Sequence, residues 1–402
     1  MRTIACLVFI SVFSFLEGNL QAFEWEIGQY PIDIHGFISQ GFLKSDRNNF
    51  YAKTQDGTFQ FDEFGLTFSV DLTDRLRGGI QLLARDLGEI GNNKVDIDWA
   101  YADYRWRDAL GFRAGKIKIP YGFYNETRDL DMFRTSIFLP SSLYAEDIRD
   151  AYNAMQGVAL YGNRSLYSFG SVNYQFLLGE KNIPADSGLV RGMIMPQVME
   201  LQNFDVTNIF GGNFEWDTPF DGLRVGGTFV KYKWDQRIRI LIPGGIDRQG
   251  NPIPVGGIVR DTGKERETIL SMEYEHGKLK LAAEYLRGST WETGYRYAKE
   301  GYYGSVAYRL TDRFEFGVYY SVYYPDADDK DGKKLAAEEG VPRYKAWQKE
   351  FVVTTRFDCN DHWTIKAEGH LINGTAKILW LDNPKGLQEE SFLFALKTTF
   401  HF

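Results

Sequence analysis

The chain has 402 residues, 44% of them hydrophobic and 16% aromatic, with 46 Lys and Arg against 54 Asp and Glu for a net charge of −8. That acidic balance argues against general nucleic-acid binding, and the cysteines, Cys6 and Cys359, leave no room for a disulfide framework or a Cys-based zinc site. A mean hydropathy of −0.35 excludes a helical membrane protein but not a β-barrel, whose wall needs apolar side chains only at every second position.

Residues Met1–Ala22 read as a secretory signal. Arg2 supplies the positive start, the apolar run Ile4–Leu16 is too short to span a bilayer, and Leu20-Gln21-Ala22 offers small-residue cleavage chemistry. Residues 23–402 then form one domain. From there period-two alternation dominates. Phe64, Leu66, Phe68, Val70 and Leu72 alternate with Glu63, Gly65, Thr67, Ser69 and Asp71. The last segment sets Phe392, Phe394, Leu396, Thr398, Phe400 and Phe402 on one face and Ala395, Lys397, Thr399 and His401 on the other. Such strands have one apolar and one polar face.

The alternation places strand starts near Pro31, Phe59, Leu76, Val95, Leu110, Gly157, Leu166, Phe204, Leu223, Glu267, Leu279, Tyr302, Phe314, Trp347, His362 and Glu390. Short turns such as Thr73-Asp74-Arg75, His276-Gly277-Lys278 and Thr311-Asp312-Arg313 alternate with long polar loops. The fold expected is therefore all-β: a transmembrane antiparallel barrel of about sixteen strands, with short turns on one rim and long loops on the other. Hydrocarbon cannot hydrogen-bond to peptide groups, so the sheet must close on itself. The bore of such a barrel is too wide for wall side chains to fill, so it should hold water and carry no packed central core. Arg and Lys fall opposite the apolar rows in most segments. Lys116 and Lys118 do not, and a bulge near Gly115 or a strand end above the membrane would re-aim them.

The third loop, residues 121–156, is long, rich in apolar anchors and mixed in charge, and long loops in compact proteins are usually functional. Met132, Phe133, Ile137, Phe138 and Leu139 are expected to pack it into the pore against the inner wall, leaving Arg128, Asp129, Asp131 and Arg134 to meet a solute. The alternatives are a loop folded over the rim or into a subunit contact. On the wall, Arg77, Gln81 and Arg85, then Tyr101, Asp103 and Arg105, then Arg113 share the lumen face of adjacent strands. Strands lie about 4.8 Å apart, so these could form one basic stripe. A stripe opposite an acidic loop would filter polar solutes. The candidate pore-lining set is Arg77, Arg85, Arg105, Arg113, Lys118, Arg128, Asp129, Asp131 and Arg134.

Catalytic chemistry finds no support. His370 has no Ser two residues away, His35 and Ser39 are about 13 Å apart on an extended strand, and no His-Glu-x-x-His or phosphate-binding loop occurs. The run Asp326–Gly332 partly matches a calcium loop, but its first position is Ala327, which offers no side-chain oxygen. No cofactor, metal or enzymatic activity is expected.

Gly115-Lys116-Ile117-Lys118-Ile119-Pro120-Tyr121-Gly122 resembles the Gly-x-x-Lys-x-Pro-x-Gly signature of the phosphate-selective porin O/P family. Ile34–Gly41 resembles first strands in that family and in related dicarboxylate-type porins, and the terminal Phe402 resembles the C-terminal signal of outer-membrane barrels. The resemblance implies sixteen strands, a homotrimer and a constriction formed by loop three, in the outer membrane of a Gram-negative bacterium. Phosphate specialists line the pore with dense Arg and Lys clusters, whereas loop three here carries Glu126, Asp129, Asp131, Glu146, Asp147 and Asp150 against three Arg. The function expected is passive diffusion of small hydrophilic solutes with a mild preference for anions such as phosphate or small carboxylates. The alternative is a plugged barrel serving as an adhesin or anchor.

Overall fold

Sixteen antiparallel strands pair in chain order, and the last pairs with the first. The computed structural model describes residues 23–27, 30–243, 245–246, 252–292 and 294–402; the expected signal, Met1–Ala22, lies outside them. The barrel strands are β1 (Tyr30–Ser45), β2 (Phe61–Thr73), β3 (Leu76–Leu87), β4 (Asp96–Arg107), β5 (Leu110–Lys118), β6 (Ala154–Ser165), β7 (Ser171–Asn182) and β8 (Met199–Asp217). They continue as β9 (Leu223–Ile240), β10 (Ile258–His276), β11 (Leu279–Glu292), β12 (Glu300–Arg309), β13 (Phe314–Tyr324), β14 (Gln348–Asn360), β15 (Trp363–Gly374) and β16 (Glu390–His401). A further strand, Phe23–Ile27, pairs with Tyr30–Ile34. The seam runs from Phe37↔His401 to Ser45↔Leu393, and Gly36 and Phe402 exchange backbone hydrogen bonds at its foot. No sheet edge is left along the wall, which is what a hydrocarbon surround demands.

The alternation has its expected consequence. Val158, Phe176, Leu178, Phe214, Leu270, Met272, Tyr320 and Leu371 are all exposed on the outer face, while their strand neighbours point inward. No helix among the described residues is long and apolar enough to cross a membrane. Val353 sits outward between Val318 and Gly369, near the middle of its strand. Val353→Arg should cost about 2–4 kcal/mol of barrel stability in lipid. Urea unfolding from vesicles checks this, and an unchanged midpoint would contradict a lipid-facing Val353.

Three strand starts differ from the pattern by five residues or more. β7 starts at Ser171 rather than Leu166, because Tyr167–Phe169 form a 3-10 turn with Tyr167 at φ 57°. β8 starts at Met199, five residues before Phe204. β10 starts at Ile258, nine residues before Glu267. The β9–β10 ladder continues to Arg239↔Ile258, held there by cross-strand polar pairs such as Gln236–Asp261 at 3.2 Å and by Trp234 lying over Gly263. These rows carry little apolar alternation, so the pattern failed to mark them.

The interior corrects one expectation outright. The bore is not free of a packed core. Residues 119–153 fold inward and bury two apolar clusters. In the first, Tyr121, Leu139, Leu143 and Tyr144 of the loop meet Ile117, Leu177, Ile209, Val230, Ile269 and Leu286 of the inner wall. In the second, Ile137 and Phe138 meet Phe61, Leu87, Ile372 and Leu393. Phe138 stacks on Phe61 with centroids 5.2 Å apart. Each such fully buried side chain contributes about 1.5–3 kcal/mol. Parts of the inner wall are thus apolar because a loop, not water, covers them.

Candidate pore and its inserted loop

Loop three crosses the lumen with both ends tied together. Asn125, fully buried, donates to Ile119 O at 2.8 Å and to Tyr152 O at 3.0 Å. From there the chain meets the wall on every side. Phe123 N donates to Glu284 Oε1 of β11 at 2.9 Å, and the hydroxyls of Tyr144 and Tyr303 both donate to the same carboxylate. Ile137 N donates to Glu368 Oε2 of β15 at 2.6 Å, and His370 Nε2 lies 2.9 Å from that carboxylate's other oxygen. Ser141 Oγ donates to Glu350 Oε1 of β14 at 2.7 Å, and Ser142 N to Ser321 Oγ of β13 at 3.3 Å. The loop backbone comes so near β12 that a Cβ at Gly301 would lie 2.6 Å from Ser142 O, so only glycine fits there.

The loop's charges are buried in this contact. Asp131, 4% exposed, accepts from Lys397 Nζ and Arg134 Nη2, each at 2.9 Å, and from Thr399 Oγ1 at 2.8 Å. Lys366 Nζ donates to its backbone oxygen at 2.8 Å. Asp129 lies between Lys118 Nζ and Arg149 Nη2, each 2.7 Å away, and Arg149 also reaches Asp98 Oδ1 of β4 at 2.7 Å. Arg128, 4% exposed, holds Glu146 Oε1 at 2.8 Å and Asn125 Oδ1 at 3.2 Å.

The structure therefore differs from the expectation that Arg128, Asp129 and Asp131 meet a solute. A charge taken out of water must find an opposite partner, and the inserted loop finds its partners on the wall. Of the four loop charges, Arg134 borders a cavity of about 350 Å³, while Arg128 and Asp129 border only a gap of about 20 Å³. The wall arginines are likewise divided rather than forming one free stripe. Arg85 is buried against Glu146 (3.5 Å) and Asp150 (3.4 Å) of the loop. Arg113 pairs with Asp103 at 2.8 Å and lies over the Tyr161 ring at 4.3 Å. Arg77 donates to Ser69 at 2.8 Å with its side chain 57% exposed, and Arg105 is exposed near the short-turn rim. Gly115 adopts φ +139°, and a Cβ there would meet Ala100 O at 2.3 Å. The β4–β5 ladder ends just past it, at Ala100↔Lys116. Beyond that point Lys118 lies inside, whereas Lys116 stays half-buried with its ammonium on Ile97 O. The register shifts nearby fall instead between Gln81 and Leu82 on the β3–β4 pair and between Arg105 and Arg107 on the β4–β5 pair.

Sequence reasoning missed the partners: Asp98, Glu284, Glu350, Lys366, Glu368, His370 and Lys397. For six of them the signal was present, since each sits on the polar parity of its strand, but parity does not say what a side chain will touch; Asp98 is off the parity of Tyr101, Asp103 and Arg105 and turns inward at the β3–β4 register shift. The calcium-like run has a structural role. Asp329 accepts the backbone N–H of Lys334 (3.0 Å) and of Leu335 (2.8 Å) at the start of the helix Lys333–Glu339.

Open space remains on the short-turn side of the loop. One cavity of about 350 Å³ is bordered by Arg134, Lys278, Lys280, Arg309 and Arg356 against Glu275 and Glu315. A second, of about 550 Å³, is bordered by Arg113, Lys118, Glu126, His35, His362 and His401. Met132 and Phe133, at the loop tip, border both. On the outer side, loops 183–198 and 375–389 are joined by Arg191 and Asp382 at 2.8 Å.

Among solved structures, the chain is similar to OmpT of Vibrio cholerae, an outer-membrane protein, at 10% identity and TM-score 0.59, over 94% of this chain and 100% of that one. It is similar to the anion-selective porin from Comamonas acidovorans at 13% identity and TM-score 0.57, over 93% and 100% of the two chains. The outer-membrane channel DcaP of Acinetobacter baumannii matches at 10% identity and TM-score 0.57, over 95% and 100%. No family model matches the chain, and no curated protein matches it. The likeness is one of fold: the sixteen-stranded barrel of the porins.

Proposed function

We propose that the chain is an outer-membrane porin of a Gram-negative bacterium, a channel for passive diffusion of small hydrophilic solutes with a mild preference for anions such as phosphate or small carboxylates. The observation that carries this reading is the pair of charged cavities beside the tip of loop three, within a closed barrel whose outer face is apolar. The first is bordered by five cationic side chains and two carboxylates. Arg309 bridges Glu315 (2.8 Å) and Asp358 (3.2 Å), and Arg356 takes Asp358 at 2.7 Å, so the excess of positive charge is modest and the preference should be too. The fold likeness to an anion-selective porin supports the same reading. The candidate pore-lining residues divide accordingly. Arg134, Arg113 and Lys118 border the cavities, while Arg85, Arg128, Asp129 and Asp131 hold the loop that shapes them. The homotrimer implied by the sequence resemblance belongs to this proposal, and light scattering of the detergent-solubilised protein tests it.

Planar-bilayer recording tests the channel. The purified protein should give stepwise currents, with a reversal potential displaced toward anions under a salt gradient. Arg309→Gln with Arg356→Gln should move that potential toward cations, and Arg134→Ala should do the same. A clear cation preference in the unaltered protein would overturn the anion reading. One observation favours a second function: loop three is ion-paired to β4 and β16 and hydrogen-bonded across the lumen to β11. A barrel so plugged would serve as an adhesin or anchor and would pass no current.

A further inference from the structure

The outer surface of β9 and β10 carries a square of four cations above the apolar band. Lys231 lies directly opposite Arg266, and Lys233 directly opposite Lys264. All four are exposed. Like charges facing each other across a ladder are unfavourable, and among the described residues no carboxylate comes within ion-pair distance of any of them. Their neighbours nearer the long-loop rim are paired: Arg260 with Asp235, and Arg239 with Glu200. Three of the four are instead held against aromatic rings. Lys264 and Arg266 lie 5.4 and 5.3 Å from the Trp291 centroid, and Lys231 lies 4.9 Å from that of Phe210. In the next two outward rows below, Phe229 and then Leu270 are exposed on the same face.

The square thus sits where hydrocarbon gives way to headgroups, on the long-loop side of the membrane. A chain of net charge −8 concentrates unpaired positive charge there, outside the pore, where it cannot act on a permeating solute. We infer that this surface docks the phosphorylated headgroup of an outer-leaflet glycolipid of the lipid A class, with its acyl chains lying along the rows of Phe229 and Leu270. Two phosphate groups supply the negative charge that four cations lack, charge-assisted hydrogen bonds form at the headgroup plane, and the apolar band continues beneath. A second copy presenting this face would bring the same cations and repel.

Native mass spectrometry of the full barrel released from detergent, with bisphosphorylated lipid A as the probe, tests the assignment. The unaltered protein should retain lipid A through the release, and a variant carrying K231Q, K233Q, K264Q and R266Q should bind it about a hundredfold more weakly or worse. Its conductance should be unchanged, because these side chains face away from the lumen. Monophosphorylated lipid A should bind less well than the bisphosphorylated form. If the fourfold variant does not yield a closed barrel, K233Q with K264Q serves, together with the loss of binding expected in high salt. Equal retention by the variant overturns the inference, and so does equal retention of phosphatidylglycerol, because the surface would then read charge alone.

Discussion

Asp131→Ala is expected to release the tip of loop three and to raise single-channel conductance several-fold while the barrel stays closed. The carboxylate is the common acceptor for Lys397, Arg134 and Thr399, and Lys366 donates to the same residue's backbone. Its removal leaves Arg134 without a carboxylate partner and Lys397 with Glu63 alone. Breaking a buried pair from one side costs about 3–5 kcal/mol, comparable with burying two of the loop's apolar anchors. The barrel's own ladders do not pass through Asp131, so wall and loop should separate in their stability. Planar-bilayer conductance and protease access to the loop check this, and unchanged values for both would show that the loop does not depend on the pair.

The same site fixes a pH dependence. Burial alone would raise the Asp131 carboxyl, but the ammonium groups of Lys397 and Lys366 and the guanidinium of Arg134 outweigh it and hold the group below the usual carboxylate range. Asp129 is depressed in the same sense, where Arg149 and Lys118 outweigh the effect of burial. A carboxylate depressed in the folded state contributes stability that is present above its unfolded value, about 3.9 for Asp. That stability is lost as pH falls through the folded value. Conductance should therefore be flat from neutral to mildly acid pH and rise only below about pH 4. A transition near neutrality would point to a different group.

Arg149→Ala should loosen the other end of the loop by a similar amount. The guanidinium sits between Asp98 on β4 and Asp129 in the loop, 2.7 Å from each, and is 5% exposed. Without it two buried carboxylates share Lys118 alone, again at a cost of about 3–5 kcal/mol. Arg149→Lys should rescue only part of the loss, because its ammonium ends one bond short of the Nη2 that meets both carboxylates. Hydrogen exchange along 119–153 measures the effect. Full rescue by lysine would mean that charge alone, not geometry, matters at this position.

The barrel was legible because period two is a local property. Each strand is marked by its own apolar face, and each short turn by its own polar residues. Legibility failed where lipid no longer imposes that face. The upper part of the β9–β10 hairpin is held by pairs such as Arg260–Asp235, which leave no hydrophobic pattern. The loop was likewise recognisable as an inserted segment from Met132, Phe133, Ile137, Phe138 and Leu139, and the last three of these anchors do pack inside. At the loop tip Met132 is half-buried and Phe133 is 61% exposed.

The roles of the loop's charges were not legible. Asp131 and Lys397 are separated by most of the chain, and only closure of β16 onto β1 brings the lysine beneath the loop. The sequence by itself determined which side chains face lipid and which face the interior, since alternation along an extended backbone leaves no choice. Tertiary structure alone decided whether an interior charge meets water or an opposite charge. That depends on where a long loop comes to rest, and the energy that sets it is summed over contacts between residues far apart in the chain.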